Sequence, residues 1–363
     1  MTPLIGIEEE YLIVDPQTRH VAPRAAEVLA AATDVLGEDV AHEITRFQVE
    51  ARTPPSADLS ELGVRLRTAR REVARAAREC GLEVVASGIP VLGDVVEPPL
   101  SDDERYAAGR VLYRALQDEI SICALHVHVD VPDEERAVYV GNHLRPWLPT
   151  LIALAANSPF FVGRDTGYAS WRVISWSRWP VSGAPPYFAT FEEYERAVGA
   201  LSESGALMDP KTVFWDTRPS PKLPTVEVRV ADVPLDVNDS LTIIGLVRGL
   251  VVTALAEVDR GDRGLPVSSE VLRAAYWRAA RDGLEGDSLD VRAGTLVPAP
   301  VMVGRLLDHV RHAVGEAGDL RFVEEGLDRL LRRGSGAMRQ RDVHRRGHDL
   351  ADVVDDLIVA TVA

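Results

Sequence analysis

The chain has 363 residues, 46% hydrophobic and 26% charged, the balance of a globular protein with a sizeable core. A formal net charge of −16 argues against a general nucleic-acid binder, because a phosphate backbone would be repelled unless a local patch overrode the field. The only cysteines, Cys80 and Cys123, are too few for a disulfide framework or a four-thiolate zinc site.

Leu4 to Val14 reads as a strand, rich in β-branched and aromatic residues and stopped by Asp15-Pro16. Pro23 to Leu36 is an Ala-rich helix ended by Gly37. His42 to Arg52 reads as a second extended segment, and Asp58 to Cys80 as an amphipathic helix stopped at Gly81. Leu82 to Ser87 is a short strand, and Gly88 to about Asp103 a loop rich in Gly, Pro and acid. Ile120 to Val131 is another strand, followed by a helix from Pro132 to about Asn157 that Pro146 and Pro149 kink. Phe160 to Phe188, aromatic among Gly and Pro, reads as an ordered loop region. A short helix near Phe191 to Ser202 and strands near Thr212 to Asp216 and Thr225 to Ala231 follow. From Asn238 onward the chain is nearly all helical, with breaks at Gly261–Gly264, Gly283–Pro300 and Gly315–Gly318. Strands come early and helices crowd the end, with no βαβ alternation. An α+β fold with an antiparallel sheet, in one domain over residues 1–363, is expected.

No stretch approaches the roughly 20 consecutive apolar residues that span a bilayer. The N-terminus has neither a basic n-region nor an apolar h-region. A cytoplasmic location without a membrane partner is therefore expected. Lys211 and Lys222 are the only lysines, so a phosphate-holding cation is expected to be an arginine, whose planar fork suits bidentate contacts.

Ile7-Glu8-Glu9-Glu10-Tyr11 sets three acids in an apolar strand. Alternation places Glu8 and Glu10 on one face, roughly 6–7 Å apart, and Glu9 on the other. Holding two half-buried carboxylates charged is costly unless a cation sits between them, and a hard divalent ion such as Mg²⁺ answers that need. An edge strand bearing solvated acids is the plainer alternative. Glu43 and Glu50 lie seven residues apart, an odd spacing that puts them on opposite faces of a flat strand. They converge only if the chain bends or bulges between them. His126, His128 and Asp130 share a strand face, which suits metal ligation or a pair of core histidines. Glu227 and Arg229 likewise share a face, as metal and phosphate groups or as a plain ion pair. Several separate strands thus carry metal-capable groups in apolar runs. No Walker A loop, nucleophile elbow, His-Glu-x-x-His helix or dinucleotide-binding glycine turn is present.

Taken in order, Gly6-Ile7-Glu8-Glu9-Glu10-Tyr11, His126-Val127-His128-Val129, Ala155-Ala156-Asn157-Ser158-Pro159-Phe160, Asp165-Thr166-Gly167-Tyr168-Ala169-Ser170, Trp176-Ser177-Arg178-Trp179-Pro180, Arg218-Pro219-Ser220, Glu227-Val228-Arg229-Val230-Ala231-Asp232 and Trp277-Arg278-Ala279-Ala280-Arg281 resemble the carboxylate–amine ligases of glutamate–cysteine ligase family 2. The resemblance runs nearly end to end. It implies a glutamine-synthetase-like fold, a curved antiparallel sheet whose strands line a funnel flanked by helices. It also implies ATP and Mg²⁺ as cofactors, with glutamate and an amino acid amine, cysteine by default, as partners in γ-glutamyl amide formation. Matching the motifs, Glu8, Glu10, Glu43, Glu50, His126 and Glu227 are expected near metal, and Arg229 facing phosphate, with Arg229 and Glu50 the catalytic candidates. His128, Arg178 and Arg281 are expected to contact nucleotide or substrate. Two departures, Asp130 after His-x-His-Val and Leu223-Pro224, bear on the acceptor more than on the chemistry. A specialised acceptor, a metal-dependent hydrolase built on the histidines, and a non-catalytic nucleotide-binding relative are the competing readings. A homodimer is the expected assembly. The aromatic stretch Trp171 to Tyr187 is either a lid that excludes water or packing for a long loop.

Overall fold

A computed structural model describes residues 2–209 and 213–363, so Lys211 and the expected strand start at Thr212 lie outside the described residues. In chain order the principal elements are β1 (Ile5–Val14), α1 (Ala25–Leu36), β2 (Val40–His42), β3 (Gln48–Ser56), α2 (Leu59–Glu79), β4 (Glu83–Val85), α3 (Glu104–Tyr113) and β5 (Ala124–Asp130). Then come α4 (Glu134–Leu144), α5 (Leu148–Ala155), α6 (Trp171–Trp176), α7 (Phe191–Glu203), β6 (Thr217–Pro219) and β7 (Thr225–Asp232). The helical third holds α8 (Val237–Asp259), α9 (Ser269–Asp282), α10 (Ala299–Glu316), α11 (Leu320–Arg333), α12 (Gly336–Gly347) and α13 (Leu350–Thr361).

The sheet runs β6-β7-β5-β1-β3-β2, with β4 also paired to the far end of β1. Each of these pairings is antiparallel. The acid-bearing β1 is therefore central, and the reading of its glutamates as solvated edge charges fails. The sheet is open, with β6 and β2 at its two edges.

Period-2 alternation sorts the two faces. Ile5, Ile7, Leu125, Val127, Val129, Val226 and Val228 turn toward the helices and join one large apolar core with α4, α5 and α8. The second half of β1 (Tyr11 to Val14) packs with α1, β4 and α13 in a second core. The one charged residue of the apolar β1 face, Glu9, is matched by Arg70 of α2. Both side chains are fully buried, with Arg70 Nη2 and Nε bonding the two carboxylate oxygens at 2.7 and 2.9 Å. Tyr11 and Ser240 hydroxyls each donate to Glu9 at 2.6 Å.

α8 is long and apolar enough to meet the length and composition of a membrane span. Its apolarity follows from burial, because α2, α4, α10 and α11 surround it. At Gly245 and Gly249 a Cβ would stand 2.7 Å from Val323 and 2.6 Å from Val314, so these glycines let α11 and α10 close onto it.

Three expectations are adjusted. The helix from Pro132 to Asn157 is interrupted rather than kinked: α4 ends at Leu144, a 3₁₀ turn spans Arg145–Trp147, and α5 follows. The break at Gly283–Pro300 contains a hairpin, Asp287–Asp290 paired with Thr295–Pro298. The aromatic stretch holds a short helix, α6, whose Trp176 joins Trp179, Tyr113 of α3 and Ile120 in a small separate cluster.

Candidate active site

The polar face of the sheet gathers groups from five strands. In the ladders Glu8 stands opposite His126, Glu10 opposite Glu50, and Glu227 opposite His128. Because each pair faces the same way, the register alone brings these side chains together. Glu43 is the exception that needed a bend. It follows the last residue of β2, and the tight turn closed by the Gln48 N–H on the Thr45 carbonyl at 3.1 Å folds it back toward Glu50.

Two three-donor groups result. Glu8, His128 and Glu227 offer ligand atoms within 4.8 Å of one another, and so do Glu10, Glu43 and Glu50. His126 links the groups: its Nδ1 is 3.1 Å from Glu8 Oε2, and its Nε2 is 3.7 Å from Glu10 Oε1. His128, expected at the nucleotide, thus completes a donor set, while His126 lies between the two sets. His128 Nδ1 bonds Thr225 Oγ1 at 3.0 Å, whereas its buried Nε2 has no hydrogen-bond partner and faces Glu8 Oε1 at 3.8 Å. That orphaned nitrogen fits a metal ligand whose orientation is set by its other ring nitrogen.

The electrostatics differ between the groups. Burial, then the charges of Glu43 and Glu50, push Glu10 well above the ordinary carboxylate range. Glu50 is pushed up to about 8 by burial and by Glu8 and Glu43, and Glu43 is raised chiefly by burial. Against burial, the hydrogen bond with His126 and the nearby His128 ring hold Glu8 low, and the charges of Arg229 and Arg218 hold Glu227 low. His126 is pushed down to about 4, first by burial and then by Arg229, which leaves a neutral imidazole. Three crowded carboxylates that raise one another's pKa are a site short of positive charge. The donor chemistry, five carboxylates and one imidazole, suits a hard divalent cation over zinc.

Arg229 ion-pairs with Glu227, and burial fails to lower its pKa because Glu227, Glu10 and Glu8 hold it charged. Three further cations were not singled out from sequence. Arg52 bonds Glu50 and lies 3.9 Å from Glu8. Arg218 Nε bonds Glu227 Oε2 at 2.9 Å, and the buried Arg172 stands behind Arg229. Arg52 was readable in principle, since it follows Glu50 by two and so shares its strand face. Arg218 lies in the Arg-Pro-Ser motif but needed the β6–β7 register to find its partner. Arg172, on a helix remote in sequence, gave no signal.

Arg178 and Arg281 have their partners outside the two donor groups. Arg178 pairs with Glu119, and both are half-exposed. Arg281 bonds Asp282 at 2.6 and 2.8 Å and lies 4.3 Å over the ring of Trp277, on the surface of α9. Motif matching located these residues in the chain, but Arg178, in the turn after α6, and Arg281, on α9, have no strand register to carry them to the acids.

Comparison with known proteins shows the family and the fold. The model of glutamate–cysteine ligase family 2 matches residues 4–356. A Nocardia farcinica protein provisionally named glutamate–cysteine ligase 2-1 is 44% identical over 361 residues, covering 99% of this chain and 94% of its own. A provisionally named glutamate–cysteine ligase 2-2 of Mycolicibacterium vanbaalenii is 43% identical over 362 residues, covering 99% and 98%. Among solved structures, glutamate–cysteine ligase from Francisella tularensis in complex with AMP aligns with a TM-score of 0.73 at 12% identity, over 99% of this chain and 88% of that one. The ligase PafA in complex with the prokaryotic ubiquitin-like protein Pup aligns at 0.56 and 14% identity, over 98% and 72%. At such identities the two structures share the fold alone. With the family match nearly end to end and close relatives covered almost whole, the chain belongs to glutamate–cysteine ligase family 2 and is a carboxylate–amine ligase.

Proposed function

We propose that this enzyme uses ATP and Mg²⁺ to join the γ-carboxylate of glutamate to the amine of an amino acid, cysteine by default, through an acyl phosphate. The observation that carries the reading is the pair of three-donor groups on one sheet face, with the charge of Arg229 felt by members of both. Nucleotide binding is also supported by the Francisella structure, which contains AMP.

The residues present fit Mg²⁺: Glu8, His128 and Glu227 would hold one ion, and Glu10, Glu43 and Glu50 another, with His126 between them. Bound there, Mg²⁺ would offset the charge of the ATP phosphates. The chain's own part is positioning and fixed charge. A γ-carboxylate oxygen of glutamate attacks the terminal phosphorus, and ADP leaves. The acceptor nitrogen then attacks the acyl carbon and expels phosphate, losing a proton as the amide forms. Arg229, buried and permanently charged, supplies donors for the equatorial oxygens of the phosphoryl group in flight. Neutral His126 fixes the Glu8 carboxylate. Arg52 and Arg218 fix the outer oxygens of Glu50 and Glu227, so that the donor sets are held before substrate arrives.

A coupled ADP-release assay with Mg·ATP and glutamate, screened across the amino acids as acceptors, tests the proposal. ADP release is expected only with Mg²⁺, glutamate and an accepted amine, and Glu10→Ala is expected to abolish it while the circular dichroism stays native. Near-normal turnover in that variant would remove the metal assignment. Hydrolysis without ATP, or nucleotide binding without ADP release, would favour one of the competing readings.

A further inference from the structure

Arg172 is a buried arginine outside both acid groups. It stands on α6 and is 3% exposed. Its Nη2 donates to the backbone carbonyl of Arg229 at 3.0 Å, and its Nη1 to that of Val230 at 3.3 Å. Those two residues lie where the β5–β7 ladder loses register: Val228 pairs with Val127 and Ala231 with Leu125, so Arg229 and Val230 together face His126. Two residues opposite one make a β-bulge, which turns a side chain and leaves ladder groups unpaired. The guanidinium fork takes both carbonyls. On the other side the Arg229 N–H donates to the Asp216 carbonyl at 2.8 Å, so the bulge is tied from both of its backbone edges.

Arg172 is itself well fixed. Its N–H donates to Ser158 Oγ at 3.1 Å, and Asp232 Oδ1 lies 3.9 Å from its Nη1. Asp232 is held by the hydroxyls of Ser158 and Ser170 at 2.7 and 2.8 Å and by the Asn157 N–H at 2.9 Å. Gly88 closes this nest, since a Cβ there would stand 2.8 Å from the Asp232 carboxyl carbon. A buried, doubly anchored cation that directs one donor to the backbone of the phosphate-facing arginine and a second to the next residue has a geometric task.

We infer that Arg172 is a positioning residue for the ligase reaction, pinning the β7 bulge and thereby aiming the Arg229 side chain at the acid-lined face. A lysine offers a point charge and cannot span both carbonyls, so it should substitute poorly. The inference rests on the proposed role of Arg229, and the test separates the two.

Arg172→Met and Arg172→Lys are made alone and together with Arg229→Lys, and kcat, KM for glutamate and the thermal midpoint are measured. Either single variant is expected to lower kcat by roughly 10–100-fold, as a small misplacement of a catalytic group does, with KM for glutamate within about twofold. In the Arg229→Lys background the same change is expected to lower kcat by less than about threefold, because no fork remains to be aimed. If Arg172→Met does not fold, the cycle is read from Arg172→Lys. Losses that multiply in the double variant, or a lowered midpoint with unchanged kcat, would show a merely structural residue and overturn the inference. Full activity in Arg229→Lys alone would overturn the role of Arg229 instead.

Discussion

Replacing Glu50 by glutamine should stabilise the metal-free protein while weakening its response to Mg²⁺. Glu50 is 5% exposed, and burial with the charges of Glu8 and Glu43 pushes its pKa up to about 8, against an ordinary value of 4.5. The sign follows from proton counting. Between pH 4.5 and 8 the folded chain holds a proton on this group that the unfolded chain has lost, so stability is full below about 4.5 and falls as pH rises toward 8. From pH 5 to pH 7 the interval is about 2 units, worth about 3 kcal/mol at ~1.4 kcal/mol per unit. Spread over the unfolding entropy of a chain this long, that is a shift of about 4 °C in the thermal midpoint. The lost ion pair to half-exposed Arg52 offsets at most about 1 kcal/mol. Differential scanning calorimetry in EDTA at pH 5 and pH 7 should therefore show the wild-type midpoint dropping by about 4 °C more than that of Glu50→Gln. Added Mg²⁺ should raise the wild-type midpoint by more than that of the variant, which keeps only the Glu8–His128–Glu227 set intact. If the variant loses midpoint at pH 7 in EDTA, or gains as much from Mg²⁺ as wild type, the crowded-carboxylate argument is wrong.

Arg229→Lys should lower kcat by roughly 100-fold or more, since a buried bidentate fork aimed at developing charge is exchanged for a point charge; wild-type kcat in steady-state ADP release would refute its phosphate role. Arg70→Met strands the fully buried Glu9 and should destabilise the fold by about 3–5 kcal/mol, read as a lower urea midpoint, while kcat of the folded fraction at low temperature stays near wild type. A variant as stable as wild type would mean that the apolar face does not depend on this pair. Trp176 and Trp179 pack with Tyr113 in a cluster separate from the main cores. Their fluorescence should shift when Mg·ATP and glutamate bind if the cluster moves as a lid; an unchanged spectrum would make it packing only.

How much of this could be read from the chain depends on how far each residue's position is set by local rules. Strand alternation carried Glu8, Glu10, His126, His128, Glu227 and Arg229 to one face and Glu9 to the other, because a two-residue period leaves no freedom once the strand is recognised. The antiparallel α+β sheet was legible from the order of strands and helices. Glu43 required a turn whose geometry the spacing could not supply. The register that seats His128, and not His126, with Glu8 and Glu227 is a property of three strands at once, and so is the bulge at Arg229. Arg178 and Arg281 were matched by motif, yet the direction of a side chain on a turn or a helix depends on packing that only the folded chain shows. For the same reason Arg70 and Arg172, each buried against a strand distant in sequence, gave no sign of their partners.

Within the acid-lined face, the proposed reaction activates the γ-carboxylate by phosphorylation. Glutamate labelled with ¹⁸O in its γ-carboxylate, turned over with Mg·ATP and the accepted amine, tests it most directly by mass spectrometry of the released phosphate. One ¹⁸O is expected to pass from each γ-carboxylate into inorganic phosphate, in step with γ-glutamyl amide formed. Amide formed with unlabelled phosphate, or phosphate released from ATP with no amide, would contradict it.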